Sequence, residues 1–181
     1  MRKEIVLSGF GGQGLVLGGI ILAEAAVLYQ GKQATHTQSY GPEARGGASK
    51  SEVIISDEEV NYPEIDCPDI FLAMTQDALN KYGEAVKKES IVIIDTEYVT
   101  DLSVLKDIKR IYQFPITEIS KRETGKALSA NIVALGIIVG LTGVVEKDNL
   151  EKAVLKRVPP ATKEMNLKAL NAGFELAQKT N

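Results

Sequence analysis

The chain has 181 residues, 44% of them hydrophobic and 25% charged, with a formal net charge of -3; this is the size and composition of one soluble domain with a proper core, not of a disordered or fibrous chain. Slight acidity argues against a general nucleic-acid surface, which would need a basic stripe, but leaves room for a local anion site. One cysteine (Cys67) and one histidine (His36) exclude internal disulfides, a cysteine-ligated iron–sulfur cluster and a structural zinc site.

In chain order, Met1-Arg2-Lys3 leads straight into a strand-like run, Glu4–Ser8, without the apolar stretch of a secretory signal; a cytoplasmic location is expected. A glycine turn follows, then a helix from about Gly14 to Gln30, which together open a βαβ unit. Gln33–Thr37 reads as a second strand. Ser39–Ala48, with a proline and three glycines, reads as an irregular loop. Lys50–Ser56 forms a strand around Val53, Ile54 and Ile55. Asp69–Ala73 and Ser90–Asp95 have the short apolar form of buried parallel strands, and Lys109–Phe114 is a weaker strand. Ala130–Leu141 is apolar nearly all round, as in a helix buried on several sides. Pro159-Pro160 interrupts the chain before a final amphipathic helix carrying Leu167, Leu170, Phe174 and Ala177. The apolar stretches Leu15–Leu28 and Ile132–Val145 fall short of the roughly 20 residues that span a bilayer, so no membrane contact is expected. The pattern predicts an α/β fold: a Rossmann-like three-layer domain with a mostly parallel sheet and a helical C-terminal third, one domain over 1–181.

Gly9, Gly11 and Gly14 match the G-x-G-x-x-G fingerprint between a strand and a helix. Glycines let the backbone approach a phosphate, and the N–H groups of a helix N-terminus supply partial positive charge. An acid about 20 residues further on would hold a dinucleotide ribose, but that region reads Ala34-Thr35-His36-Thr37-Gln38. A phosphate-binding P-loop would close on Gly-Lys-Ser/Thr, whereas Leu15-Val16 follows Gly14. NAD and ATP are therefore disfavoured. The candidate ligand-binding residues are Gly9, Gly11, Gly12, Gln13 and Gly14, and the alternative is that the glycines serve tight strand–helix packing.

The loop Ser39–Ala48 sets Tyr40, Glu43 and Arg45 among residues that permit unusual backbone angles. Arg45 could pair with a carboxylate or phosphate, or the loop could be a solvated turn or an interface. His36 is expected to be a packed histidine, Cys67 an inert thiol, and Asp95 either a ligand residue at a strand end or a cap. No catalytic set can be assembled, so catalysis by the chain alone is not expected.

The stretches "SGFGGQG", "QSYGPEARGGASKSEVIIS", "YPEIDCPDIFLAMTQDALNKY" and "VPPATKEMNLKALNAGFELA" resemble the gamma subunit of 2-oxoacid:ferredoxin oxidoreductases over nearly the whole chain. The form "YGPEARGG" is most similar to the 2-oxoglutarate (2-oxoglutarate synthase) branch. The resemblance implies a pyruvate/ketoisovalerate oxidoreductase gamma-type domain. It further implies an enzyme converting 2-oxoglutarate, coenzyme A and oxidised ferredoxin to succinyl-CoA, CO2 and reduced ferredoxin. Thiamine diphosphate with Mg, and the iron–sulfur clusters, would lie on alpha, beta and delta partners, since this chain lacks the Gly-Asp-Gly motif and the cluster cysteines. The gamma-type domain would assist coenzyme A binding and assembly. Where the fused pyruvate enzymes carry a basic residue shortly after the glycine turn, this chain has Gly18-Gly19-Ile20. A stand-alone nucleotide-dependent oxidoreductase and a purely structural subunit are the competing expectations.

Overall fold

Short β-branched runs separated by glycine and proline punctuation fold into one sheet in the computed structural model, which describes residues 1–40 and 47–180. The strands are β1 (Arg2–Phe10), β2 (Gln33–Tyr40), β3 (Ala48–Ser56), β4 (Ile70–Ala73), β5 (Ile91–Asp95) and β6 (Arg110–Phe114). The helices are α1 (Leu15–Gln30), α2 (Gln76–Tyr82), α3 (Ile116–Thr124), α4 (Ala130–Thr142), α5 (Lys147–Arg157) and α6 (Lys163–Gln178). Sheet order is β2-β3-β1-β4-β5-β6. β1, β4, β5 and β6 run parallel, whereas β3 is antiparallel to both of its neighbours. The fold is thus α/β with a mixed sheet, parallel across β1, β4, β5 and β6.

Side chains alternate across each strand, and the two faces bury different layers. Ile5, Leu7, Leu72 and Ile93 join α1 and α3 to α6 in the larger core. Val6, Phe71, Val92 and Ile94 pack on the thinner side with Leu79 of α2, Val99 and Leu105. Because β4 and β5 are buried on both faces, they lack a polar alternation and read as continuous apolar runs. α4 is apolar all round because it is enclosed by its own chain: a Cβ on Gly136 would overlap Leu170 O and lie 3.1 Å from Gly173 Cα on α6.

One expectation needs correction. Ser39–Ala48 is not an irregular loop throughout: Ser39 and Tyr40 complete β2 and Ala48 begins β3, an antiparallel pair with Tyr40 opposite Ser49. Ladder hydrogen bonds and the Ser49 and Ser51 side chains buried beneath them carry strand structure further than β-propensity alone indicates. Glu43 and Arg45, expected in this stretch, lie outside the described residues.

Candidate functional site

The glycine turn sits at the C-terminal end of β1, in the interior of the sheet, where the chain must reverse into α1 over a few residues. Ser8 is fully buried and donates to Leu72 O at 2.7 Å, anchoring the strand end to β4. Phe10 N donates to Gln13 Oε1 at 2.9 Å, and Gln13 N donates to Phe10 O at 3.3 Å. Gln13 therefore closes the turn on itself with both its backbone and its side chain. A Cβ at Gly9 would overlap that same Gln13 oxygen and approach Leu15 Cδ1 to 2.8 Å, so glycine there is required by the closure.

The next glycines differ. Among the described residues, nothing lies within 4 Å of where a Cβ on Gly11 would be, and at Gly12, with φ 103°, the nearest such atom is Phe10 Cε2 at 4.0 Å. Among the described residues packing demands glycine at neither position, although the left-handed φ at Gly12 favours it. Gly14 caps α1 in the left-handed region, φ 74°, and a Cβ there would lie 2.6 Å from Asn131 Nδ2. Asn131 donates from that nitrogen to Gly14 O at 3.0 Å.

α1 thus begins without a side-chain cap and without an acidic residue in its first turn. α4, whose first turn supplies Asn131, likewise has no acidic residue there, and Asn131 Oδ1 accepts from Ile132 N at 2.9 Å. The first N–H groups of a helix carry roughly half a positive charge between them, and no carboxylate on either helix start offsets it. The corner is suited to an anion held by backbone N–H groups. The exposed side chains of Phe10, Leu17 and Leu128 flank it.

Other predicted residues fall into two groups. Tyr40 is 61% exposed and shares a row with Gly9, since Ser49 pairs with both; two strand spacings, about 10 Å, separate them. Asp95 lies at the same end of the sheet but is fully buried. It accepts from Thr117 Oγ1 at 2.5 Å, Thr117 N at 3.2 Å and Glu97 N at 3.2 Å, so it serves as a cap. Burial pushes its carboxyl above the usual range, against the lowering effect of those bonds. His36 packs beneath α1 with Nε2 2.9 Å from Ser51 Oγ, and burial lowers its pKa. Cys67 is exposed just before β4, at the opposite end of the parallel strands. A cavity of about 380 Å³ lined by Met1, Lys3, Asp69, Arg110 and Gly143 opens at that opposite end too, whereas open α/β sheets bind ligands beyond the carboxyl ends of their strands.

Asn131 is the residue that the pattern reading passed over. Its signal was present: it is the one polar side chain in Ala130–Leu141. Among the described residues, no three His, Cys, Asp or Glu side chains are grouped to hold a metal ion.

Comparison with known proteins gives this geometry its class. A family model described as pyruvate ferredoxin/flavodoxin oxidoreductase matches residues 4–176, and the chain belongs to that family. The 2-oxoglutarate synthase subunit KorC of Methanocaldococcus jannaschii is 48% identical over 99% of this chain and 96% of its own length. The crystal structure of a keto/oxoacid ferredoxin oxidoreductase gamma subunit from Geobacter sulfurreducens PCA superposes with a TM-score of 0.90 at 50% identity, covering 99% of this chain and 98% of that one. The same fold recurs at 21% identity and TM-score 0.85 within a 2-oxoglutarate:ferredoxin oxidoreductase chain of Magnetococcus marinus; the match covers 98% of this chain and 31% of that one. The protein described here is accordingly a gamma-type subunit of a 2-oxoacid:ferredoxin oxidoreductase, one part of a multi-subunit enzyme.

Proposed function

We propose that the enzyme containing this chain converts 2-oxoglutarate, coenzyme A and oxidised ferredoxin to succinyl-CoA, CO2 and reduced ferredoxin. In this reading the chain's own part is to hold the diphosphate of coenzyme A at Gly9, Gly11, Gly12, Gln13 and Gly14, and to help assemble the complex. The observation that carries the reading is the uncapped start of α1 beside the open backbone of Gly11 and Gly12, a combination that favours a diphosphate. The structure of the Magnetococcus protein has 2-oxoglutarate, coenzyme A and succinyl-CoA bound, which makes this the diphosphate to test first. In this reading Tyr40 contributes to a substrate or subunit contact beside the turn, and Glu43 and Arg45 are candidates for the same contact from the sequence alone.

The residues present do not fit the remaining chemistry. One cysteine and one histidine cannot ligate an iron–sulfur cluster, and the chain has no Gly-Asp-Gly stretch for thiamine diphosphate and Mg. In this reading alpha, beta and delta partners supply those groups, and ferredoxin is engaged through the complex. Ferredoxin-linked, CoA-dependent turnover of the partner subunits, assayed with and without this chain, tests the reading. Turnover should require it; full activity in its absence contradicts the proposal.

A further inference from the structure

α2, α3, α5 and α6 each place an acidic side chain in their first turn: Asp77, Glu118, Asp148 and Glu164. That is the ordinary way to complement the positive end of a helix. α1 and α4 carry none, and their starts meet through Asn131. The residue is 5% exposed and its side chain makes two bonds. Oδ1 accepts from Ile132 N at 2.9 Å, and Nδ2 donates to Gly14 O at 3.0 Å. An ionised aspartate would serve the first bond equally well, but only the amide can make the second. The uncharged member of this isosteric pair stands where a carboxylate would offset the positive corner.

Gly14 O has a second donor. Gly18 N donates to it at 2.9 Å, which closes the first turn of α1. Asn131 therefore grips the carbonyl on which α1 starts, from a neighbouring helix and 117 residues away in sequence. A trans peptide is planar, with its N–H opposite to its C=O. Fixing the Gly14 C=O into α1 thus fixes the Leu15 N–H out of the N-terminal end of that helix. Among the described residues no backbone carbonyl or side chain accepts from the N–H of Leu15, Val16 or Leu17. Gly14 has a φ of 74° and no Cβ, so no side chain of its own holds this peptide in place, and glycine loses more freedom on ordering than any other residue. The anchor must come from elsewhere, and Asn131 supplies it.

We propose that Asn131 is a positioning residue for coenzyme A. By holding the Gly14 carbonyl it aims the Leu15 N–H at the diphosphate, and as a neutral amide it does so without a charge that would repel the ligand. The inference rests on the coenzyme A reading of the glycine turn. Asn131 touches no ligand; it acts through the Gly14–Leu15 peptide. The contact between α1 and α4 has a support of its own, since Leu135 Cδ2 lies 3.9 Å from the Cβ position of Gly18. Removing the amide should therefore loosen the aim of the turn before it loosens the fold.

Steady-state kinetics of the reconstituted complex test it, with Asn131→Asp, Asn131→Leu and Gly11→Val each compared with wild type. Asn131→Asp removes the donor and adds a negative charge, so the KM for coenzyme A should rise about tenfold or more. The kcat at saturating coenzyme A and the KM for the 2-oxoacid should stay unchanged. Asn131→Leu removes the donor without adding charge and should raise the KM for coenzyme A by less. A role in folding alone would lower the yield of assembled complex and leave the KM for coenzyme A where it was. A wild-type KM for coenzyme A in an assembled Asn131→Asp complex, with that of Gly11→Val raised, overturns this inference and leaves the coenzyme A reading standing. Unchanged values in both variants overturn that reading as well. Should Asn131→Asp fail to assemble, Asn131→Leu decides by the same comparison, and failure of both to assemble overturns the inference in favour of a folding role.

Discussion

Two of the glycines in the turn make opposite predictions because they meet different surroundings. Gly14 combines a φ of 74° with Asn131 Nδ2 at 2.6 Å from the Cβ position. Gly14→Ala should cost about 1–2 kcal/mol for the left-handed backbone, plus the displacement of Asn131, measured by urea unfolding. Gly11→Ala, with open space at its Cβ position, should stay within about 0.5 kcal/mol of wild type. His36 provides a pH test. Burial lowers its folded-state pKa, so the unfolded chain binds the proton more readily. Stability from this group is present above the unfolded value of about 6.5 and is lost as pH falls below it. A urea-unfolding series against pH should show that decline in wild type and a flatter profile in His36→Gln.

At the scale of elements, the closest helix contact is between α4 and α6, where Gly136 and Gly173 bring backbones together; their missing Cβ atoms would meet Leu170 O and Val133 O respectively. Gly136→Ala should overpack this seam and cost about 1–3 kcal/mol, seen as a lowered Tm. Most elements were legible because their signals are local. β4 and β5 are short apolar runs, α1 follows a glycine turn, and α6 has an apolar stripe. What was not legible depends on contacts distant in sequence. β3 lies antiparallel between β1 and β2, an arrangement that no periodicity within "KSEVIIS" encodes. The strand ends at Tyr40 and Ala48 owe their form to pairing across the hairpin. In the site, the turn's position after β1 was readable from spacing alone. The clamp on Gly14 was not, since Asn131 is 117 residues away.

At the scale of the molecule, the proposed role of the turn as an anion-binding corner takes its meaning from the assembled enzyme of which this chain is one subunit. Gly11 allows the most direct test. Among the described residues its Cβ position is open, so Gly11→Val should fold normally while placing side-chain bulk over the N–H groups that would face a diphosphate. Loss of one hydrogen bond to a charged group costs about 1.5–3 kcal/mol, or roughly tenfold or more in affinity. The decisive measurement is steady-state kinetics of the reconstituted complex carrying Gly11→Val. The account predicts a KM for coenzyme A raised about tenfold or more with the KM for the 2-oxoacid unchanged; an unaltered KM for coenzyme A in an intact complex would contradict it.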